Sequence, residues 1–176
     1  MFERLLDLIL QLGDQLIPFF VVDPYQHAGV LRLGKYNRTC PPGFHWKIPF
    51  ADRVVEIATC TTTLRLPPQT LTTKDGKSVV VTAIVKYNVS DLQPYIVDIF
   101  DQQDALADTT MGAIRACVRE ATLDELVSEP PEHKIAITVR RHVKPYGINV
   151  QTVTFADLAA VRSFRLVQQH PKDIEN

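Results

Sequence analysis

Cysteine is too scarce here to build a fold. Cys40, Cys60 and Cys117 are odd in number, widely spaced and without a CxxC pair. They read as three thiols in a reducing compartment, and a Cys40–Cys60 disulfide does not follow from their spacing. A charge excess of either sign is also absent: the net charge is −1, so no dominant field points to nucleic acid. The basic cluster Lys134, Arg140, Arg141, His142 and Lys144 lacks the interleaved aromatics that single-stranded nucleic acid needs, and reads as a solvated helix face. His27, His45, His133, His142 and His170 show no metal-ligand spacing, and the glycines form no phosphate cradle. Cys117 falls on an apolar helical stripe, where a structural thiol is expected rather than a nucleophile. Catalytic, metal and cofactor assignments are therefore all none.

What is present begins at the N-terminus. Phe2, Leu5, Leu6, Ile9, Leu12 and Leu16 recur at helical spacing, with Glu3, Arg4, Asp7, Gln11, Asp14 and Gln15 opposite. The pattern predicts an amphipathic helix about 25 Å long at 1.5 Å per residue, ended by Pro18. Asp7 and Asp14 interrupt the run of about 20 apolar residues that a transmembrane span requires. The stretch also lacks the basic start and unbroken apolar core of a signal peptide. Phe19 and Phe20 extend its apolar character toward Asp23-Pro24. Two readings stay open: an interfacial anchor, or a helix packed on its own domain or on a neighbouring subunit. Six apolar side chains contribute at most about 1.5–3 kcal/mol each when fully buried, and ordering the backbone costs about 1–2 kcal/mol per residue. One copy is a marginal anchor; many copies would bind by avidity.

At 176 residues, with 45% hydrophobic and 22% charged side chains, the remainder suits one globular domain. It reads as α+β. Tyr25–Leu33, Phe44–Pro49, Arg53–Leu66 and Ser78–Val89 are strand-like, and Asp75-Gly76 signals a hairpin turn. Val79, Val81, Ala83, Val85, Tyr87 and Val89 share one face, which should pack on helices. Helices are predicted from Asp101 to Glu120 and from Pro130-Pro131 to about Val143, the second closed by Pro145-Tyr146-Gly147. Ile148 to Phe155 alternates as a last strand. Strands first and helices later predict an antiparallel sheet covered on one face.

The order of punctuation is more specific than any element. Gly29-Val30-Leu31-Arg32-Leu33-Gly34-Lys35 precedes Cys40-Pro41-Pro42-Gly43-Phe44-His45-Trp46-Lys47-Ile48-Pro49-Phe50, and Leu66-Pro67-Pro68-Gln69 closes the next strand. Thr73-Lys74-Asp75 then leads into Val79 to Val89, followed by Arg115 to Glu120, Leu123-Asp124-Glu125-Leu126 and Lys144 to Val150. This succession, from about Asp23 to Leu158, resembles the SPFH or Band 7 domain of stomatins, prohibitins, flotillins and bacterial HflK/HflC, closest to the stomatin-like proteins. The resemblance implies a non-enzymatic, membrane-associated scaffold, peripheral or monotopic on the cytoplasmic face. It also implies homo-oligomerisation, and a membrane protease or a larger SPFH assembly as partner. It favours the membrane for the N-terminal helix; the alternative is a soluble structural subunit using that helix for protein contact.

The expected division is residues 1–22 as membrane or assembly helix, 23–158 as SPFH domain and 159–176 as a short C-terminal helix and tail. Family members continue into a long coiled coil, whereas Asp157 to Gln169 reads as a helix that Pro171 stops, short of the three or four heptads required. Val161 and Phe164 on that helix are the candidate oligomer contacts. The cysteines carry no chemistry on this reading, so serine at all three should leave fold and assembly intact apart from packing loss at Cys117. Circular dichroism and light scattering check this, and a functional loss without loss of fold would contradict it.

Overall fold

The computed structural model describes residues 17–161. The expected helix with Phe2, Leu5, Leu6, Ile9, Leu12 and Leu16 lies outside the described residues, as does Phe164. In chain order the elements are β1 (Phe19–Val22), β2 (Gln26–Arg32), β3 (Lys35–Cys40), β4 (Gly43–Trp46), β5 (Asp52–Ala58), β6 (Thr62–Arg65), β7 (Gln69–Thr72) and β8 (Ser78–Val89). There follow α1 (Leu92–Val97), α2 (Gln102–Glu120), α3 (Leu123–Ser128), α4 (Glu132–Val143), a 3-10 turn at Lys144–Tyr146, and β9 (Ile148–Val161).

The larger core forms around β8. Its twelve residues are mostly β-branched and alternate strictly between faces, which suits a pleated strand. One flank pairs antiparallel with β9 from Val89↔Ile148 to Ser78↔Val161; the other pairs with β6 and then β7. Val79, Val81, Ala83, Val85, Tyr87 and Val89 are all buried. They pack under Leu106, Ile114 and Val118 of α2, Leu126 of α3, and Ile135, Val139 and Val143 of α4. Such side chains each contribute roughly 1.5–3 kcal/mol when fully buried. The helix starts are set by short polar side chains: Asp91 caps α1, Asp101 caps α2, and Thr122 with Glu125 forms a reciprocal capping box on α3. Thr110 is the buried hydroxyl of α2, and it donates to the Leu106 carbonyl at 2.8 Å.

A second, smaller layer carries the N-terminal strands. β2 lies between β3 and β5, while β1 and β4 form a separate two-stranded ribbon. Its core is Val22, Ala28, Val30 and Cys40, with Phe20 and Val54 packed against it. Cys40 is therefore the most buried of the three thiols, so the packing loss expected at Cys117 also falls on Cys40.

The α+β class, the hairpin before β8, the buried face of β8 and the two long helices match the sequence reading. Three expectations are corrected. Asp157–Val161 is strand, not the start of a helix: these residues pair with Thr82–Ser78 and complete the flank of β8. Ala159 and Ala160 favour helix by only a few tenths of a kcal/mol each, less than the ladder they complete. Leu158 accordingly packs against the core, and Val161 sits at the strand end opposite Ser78. Second, the folded body begins before Asp23, because Phe19–Val22 pairs with Trp46–Gly43 and Val22 is buried. Third, the strand expected over Arg53–Leu66 breaks between Ala58 and Thr62 into β5 and β6, which belong to different sheets.

Gly43 and Gly147 both have positive φ, 128° and 74°. A Cβ on Gly43 would meet open space, but one on Gly147 would lie 2.0 Å from the Asp91 carbonyl oxygen. Alanine at Gly43 is expected to cost about 1–3 kcal/mol from backbone strain alone. Alanine at Gly147 should cost clearly more, because backbone there must also move. Urea unfolding of the two variants measures the order, and equal losses would contradict it.

Candidate functional site

The ribbon of β1 and β4 has two unlike faces. Residues directly opposite each other share a face, so the register Phe19↔Trp46 and Val21↔Phe44 sets four large apolar side chains on one side. Phe20 and Val22 point the other way, into the small core, with Phe20 stacked on His45 at 5.6 Å between centroids. On the outer side the Phe19 ring lies 5.4 Å from Phe44 and 6.4 Å from Trp46, and Phe44 meets Trp46 edge-on at 6.0 Å. The rings order one another, yet Phe44 and Trp46 remain 57% and 62% exposed.

The same apolar character continues into the loop after β4. Ile48 is exposed and Phe50 is 72% exposed; beside them, Leu33 in the β2–β3 turn is 81% exposed. The two loops are tied together by the Leu33 amide, which donates to the Ala51 carbonyl at 2.9 Å. Leu33 and Phe50 both have positive φ, 49° and 64°, unusual for side chains of their bulk. That conformation costs on the order of 1–3 kcal/mol in backbone strain at each residue, and the exposed apolar side chains gain no burial to offset it.

Asp52 holds this tip in place. Its carboxylate accepts from Arg32 Nε at 2.7 Å, Arg32 Nη2 at 3.1 Å and the Ile48 amide at 2.9 Å. The Asp52 side chain is fully out of solvent while Arg32 is partly exposed. The Arg32 guanidinium lowers the Asp52 carboxyl below its ordinary value, burial opposes this, and the Ile48 amide adds to the lowering. Ribbon and loop are further fastened by Lys47 N donating to Pro18 O at 2.8 Å, and by Arg38 donating to the Trp46 carbonyl.

Charge in the stretch of sequence that carries most of the apolar surface is mainly positive. Between Leu31 and Arg53 the charged residues are Arg32, Lys35, Arg38, Lys47 and Arg53 against Asp52 alone. Aromatic and aliphatic side chains interspersed in sequence with Lys and Arg suit the boundary between hydrocarbon and anionic headgroups. Among the described residues no group of His, Cys, Asp and Glu could hold a metal ion, and no helix is long and apolar enough to cross a membrane.

Of the residues singled out from sequence, Phe19 and Phe20 come to this ribbon on its opposite faces. Val161 lies on β9, 44% exposed, in the other sheet. The sequence reading missed Val21, Phe44, Trp46, Ile48, Phe50 and Leu33. A signal was available: Phe44, Trp46, Ile48 and Phe50 alternate at a period of two, each followed or preceded by a polar residue or proline.

The family model described as "SPFH domain / Band 7 family" matches residues 20–164. An uncharacterized protein of Archaeoglobus fulgidus is 28% identical over 157 residues, covering 88% of this chain and 63% of that one. A stomatin homolog of Pyrococcus horikoshii is 29% identical over 142 residues, 78% of this chain and 53% of the relative. Protein HflK of Vibrio cholerae is 29% identical over 110 residues, 62% of this chain and 28% of its own length. The chain thus spans less than two thirds of each of these relatives.

The Arg32–Asp52 pair predicts an acid dependence. The folded Asp52 carboxyl is depressed, so its contribution is present above the unfolded value of about 3.9 and is lost as pH falls through the folded value. Asp52→Asn should lower the urea midpoint at about pH 7 and shrink the further drop seen on acidification. A variant that loses as much midpoint as the wild type between neutral and acid pH would contradict this.

Proposed function

We infer the function of this chain from its family, for it belongs to the SPFH domain / Band 7 family, and propose that it is a membrane-associated, non-enzymatic scaffold of the stomatin-like kind. The observation that carries this reading is the exposed face of Phe19, Val21, Phe44 and Trp46, continued by Ile48, Phe50 and Leu33 and interspersed in sequence with basic residues. An ordered ribbon differs from a free amphipathic helix in one energetic respect. Its backbone is fixed by folding, so insertion of the side chains incurs little further ordering cost. Partial burial of several such side chains, at up to about 1.5–3 kcal/mol each, with about 1 kcal/mol per basic residue near anionic lipid, gives a usable but reversible contact. The N-terminal segment with Phe2, Leu5, Leu6, Ile9, Leu12 and Leu16 would add further apolar side chains to this contact.

On this reading the partners are the cytoplasmic membrane surface and further copies of the chain. The client is of the class the family implies, a membrane protease or a larger SPFH assembly. A nucleophilic role for Cys117 is disfavoured, since burial pushes its thiol up and away from the reactive thiolate.

Trp46 is the sole tryptophan and reports on its own surroundings. With phosphatidylcholine–phosphatidylserine vesicles its emission should shift to the blue and be quenched by brominated acyl chains. Phe44→Ser with Phe50→Ser should weaken vesicle binding by about tenfold or more, equivalent to ~1.4 kcal/mol, without loss of fold. A folded protein whose Trp46 emission ignores vesicles would overturn the membrane contact and leave a soluble assembly subunit as the better reading.

A further inference from the structure

Two surfaces away from the ribbon differ in form and in the charge that borders them. The first is the turn between α1 and α2, where Phe100 is fully exposed and Val97 is 56% exposed. Asp98, Asp101, Asp104 and Asp108 stand exposed around them. The turn is pinned rather than slack: the Gln102 side-chain amide donates to the Tyr95 carbonyl at 2.8 Å and to the Ile99 carbonyl at 3.2 Å. The backbone that carries Phe100 is therefore pinned, and its ring projects from the domain as an apolar knob in an acidic setting.

The second is a groove of about 240 Å³ between α4 and β9, lined by Ala136, Ile137, Val153, His133, Arg140 and Gln151. Its walls are also fixed. Arg140 donates through Nε to the Val150 carbonyl at 2.7 Å and through Nη2 to the Gln151 carbonyl at 3.1 Å, while the Phe155 amide donates to Glu132 Oε1 at 2.7 Å. Ile137 on the groove's lip is 44% exposed. By helical spacing, Arg141 and Lys144 extend the same face of the chain past Ile137, so that end of the lip is basic where the knob is acidic. Glu132 lines the other end and is engaged by the Phe155 amide.

The two lie on opposite flanks. β9 and β6 sit on either side of β8. The groove is at β9, whereas the start of α2 is by β5 and β6, with Gln103 lining a recess beside Ile57 and Thr62. Set on different flanks, knob and groove are free to meet two different neighbours. Such a contact is heterologous: each copy gives its knob to one neighbour and its groove to the other.

We propose that Phe100 of one copy seats in the α4–β9 groove of the next copy, with the Asp98–Asp108 carboxylates facing Arg140, Arg141 and Lys144. This deepens the scaffold reading and rests on it: it names the lateral contact by which the scaffold is built. The apolar knob supplies the buried contact, and the opposed charges set its direction and exclude knob-to-knob pairing. Repetition of one such contact closes into a ring when the rotation between copies allows it.

The test is directional cross-linking of the full chain on phosphatidylserine-containing vesicles. In a background with Cys40→Ala, Cys60→Ser and Cys117→Ala, the pair Phe100→Cys and Ile137→Cys should give a ladder of dimers, trimers and higher species on oxidation. Either cysteine alone should give monomer. In the native-cysteine background, Phe100→Asp should lower the assembly mass to that of a monomer while circular dichroism is unchanged. Dimers from a single-cysteine variant, or an assembly that gives no ladder and survives Phe100→Asp, overturn this contact and leave the scaffold reading standing. A wild type that is monomeric on vesicles overturns both.

Discussion

The larger core and the helices on it lean on the backbone of β8 being paired along both edges. A twelve-residue strand with an apolar face is useful only if its other polar groups are satisfied, since an unpaired buried amide costs about 1–3 kcal/mol. β9 provides that along one whole edge, and β6 with β7 divides the other. This accounts for the length of β9: it runs to Val161 because β8 begins at Ser78. Once β8 is fixed, its buried face sets where α2 and α4 rest, and the helices then set the α1–α2 turn and the α4–β9 groove. Gly147 belongs to the same constraint. It reverses the chain from the 3-10 turn into β9 within contact of Asp91, and its carbonyl accepts from the Ser90 amide at 2.8 Å, at the far end of β8.

The apolar ribbon obeys a different logic. Its inner residues, Phe20 and Val22, cover a core of only a few side chains, so little burial is available to hold it. Polar fastening compensates at the edges. Asp52 gathers Arg32 and the Ile48 amide, and Lys47 closes on Pro18. The outcome is a frame presenting side chains that gain little from the fold beyond contact with one another. Leu33 and Phe50, apolar, exposed and left-handed at once, are the sharpest instances. A domain selected for stability alone would put glycine or asparagine at such positions.

Sequence made the fold largely legible where period and punctuation agreed. Ser78–Val89 alternates cleanly and is bounded by Asp75-Gly76, and Asp101 marks the start of α2 by its capping chemistry. It failed where local preference and tertiary pairing disagree. Asp157–Val161 contains two alanines and reads as helix, yet its conformation is decided by a strand some 80 residues earlier in the chain. Much the same holds for the site. Phe19 and Phe20 stood out as apolar neighbours, but their opposite orientations, and the company of Phe44 and Trp46, depend on a ribbon register that no local pattern encodes. Phe100 escaped attention because one aromatic residue in a polar stretch is unremarkable until its complete exposure is known.

On the proposed reading of the two surfaces, neither contact needs to be strong. A ribbon that inserts a few side chains gives one copy only a brief residence on a bilayer, and a single knob in a groove gives two copies only a weak contact in solution. On a membrane the copies share a plane and an orientation, so the second contact becomes intramolecular in effect and its effective concentration rises steeply. By linkage the reverse also holds: each lateral contact adds ribbons to one assembly and lengthens its stay on the lipid. Two marginal interactions coupled in this way would yield an assembly that exists where there is a surface to build on and disperses where there is none. Strengthening either contact alone would weaken that dependence, because a tight lateral contact would assemble in solution and a tight anchor would hold single copies in place.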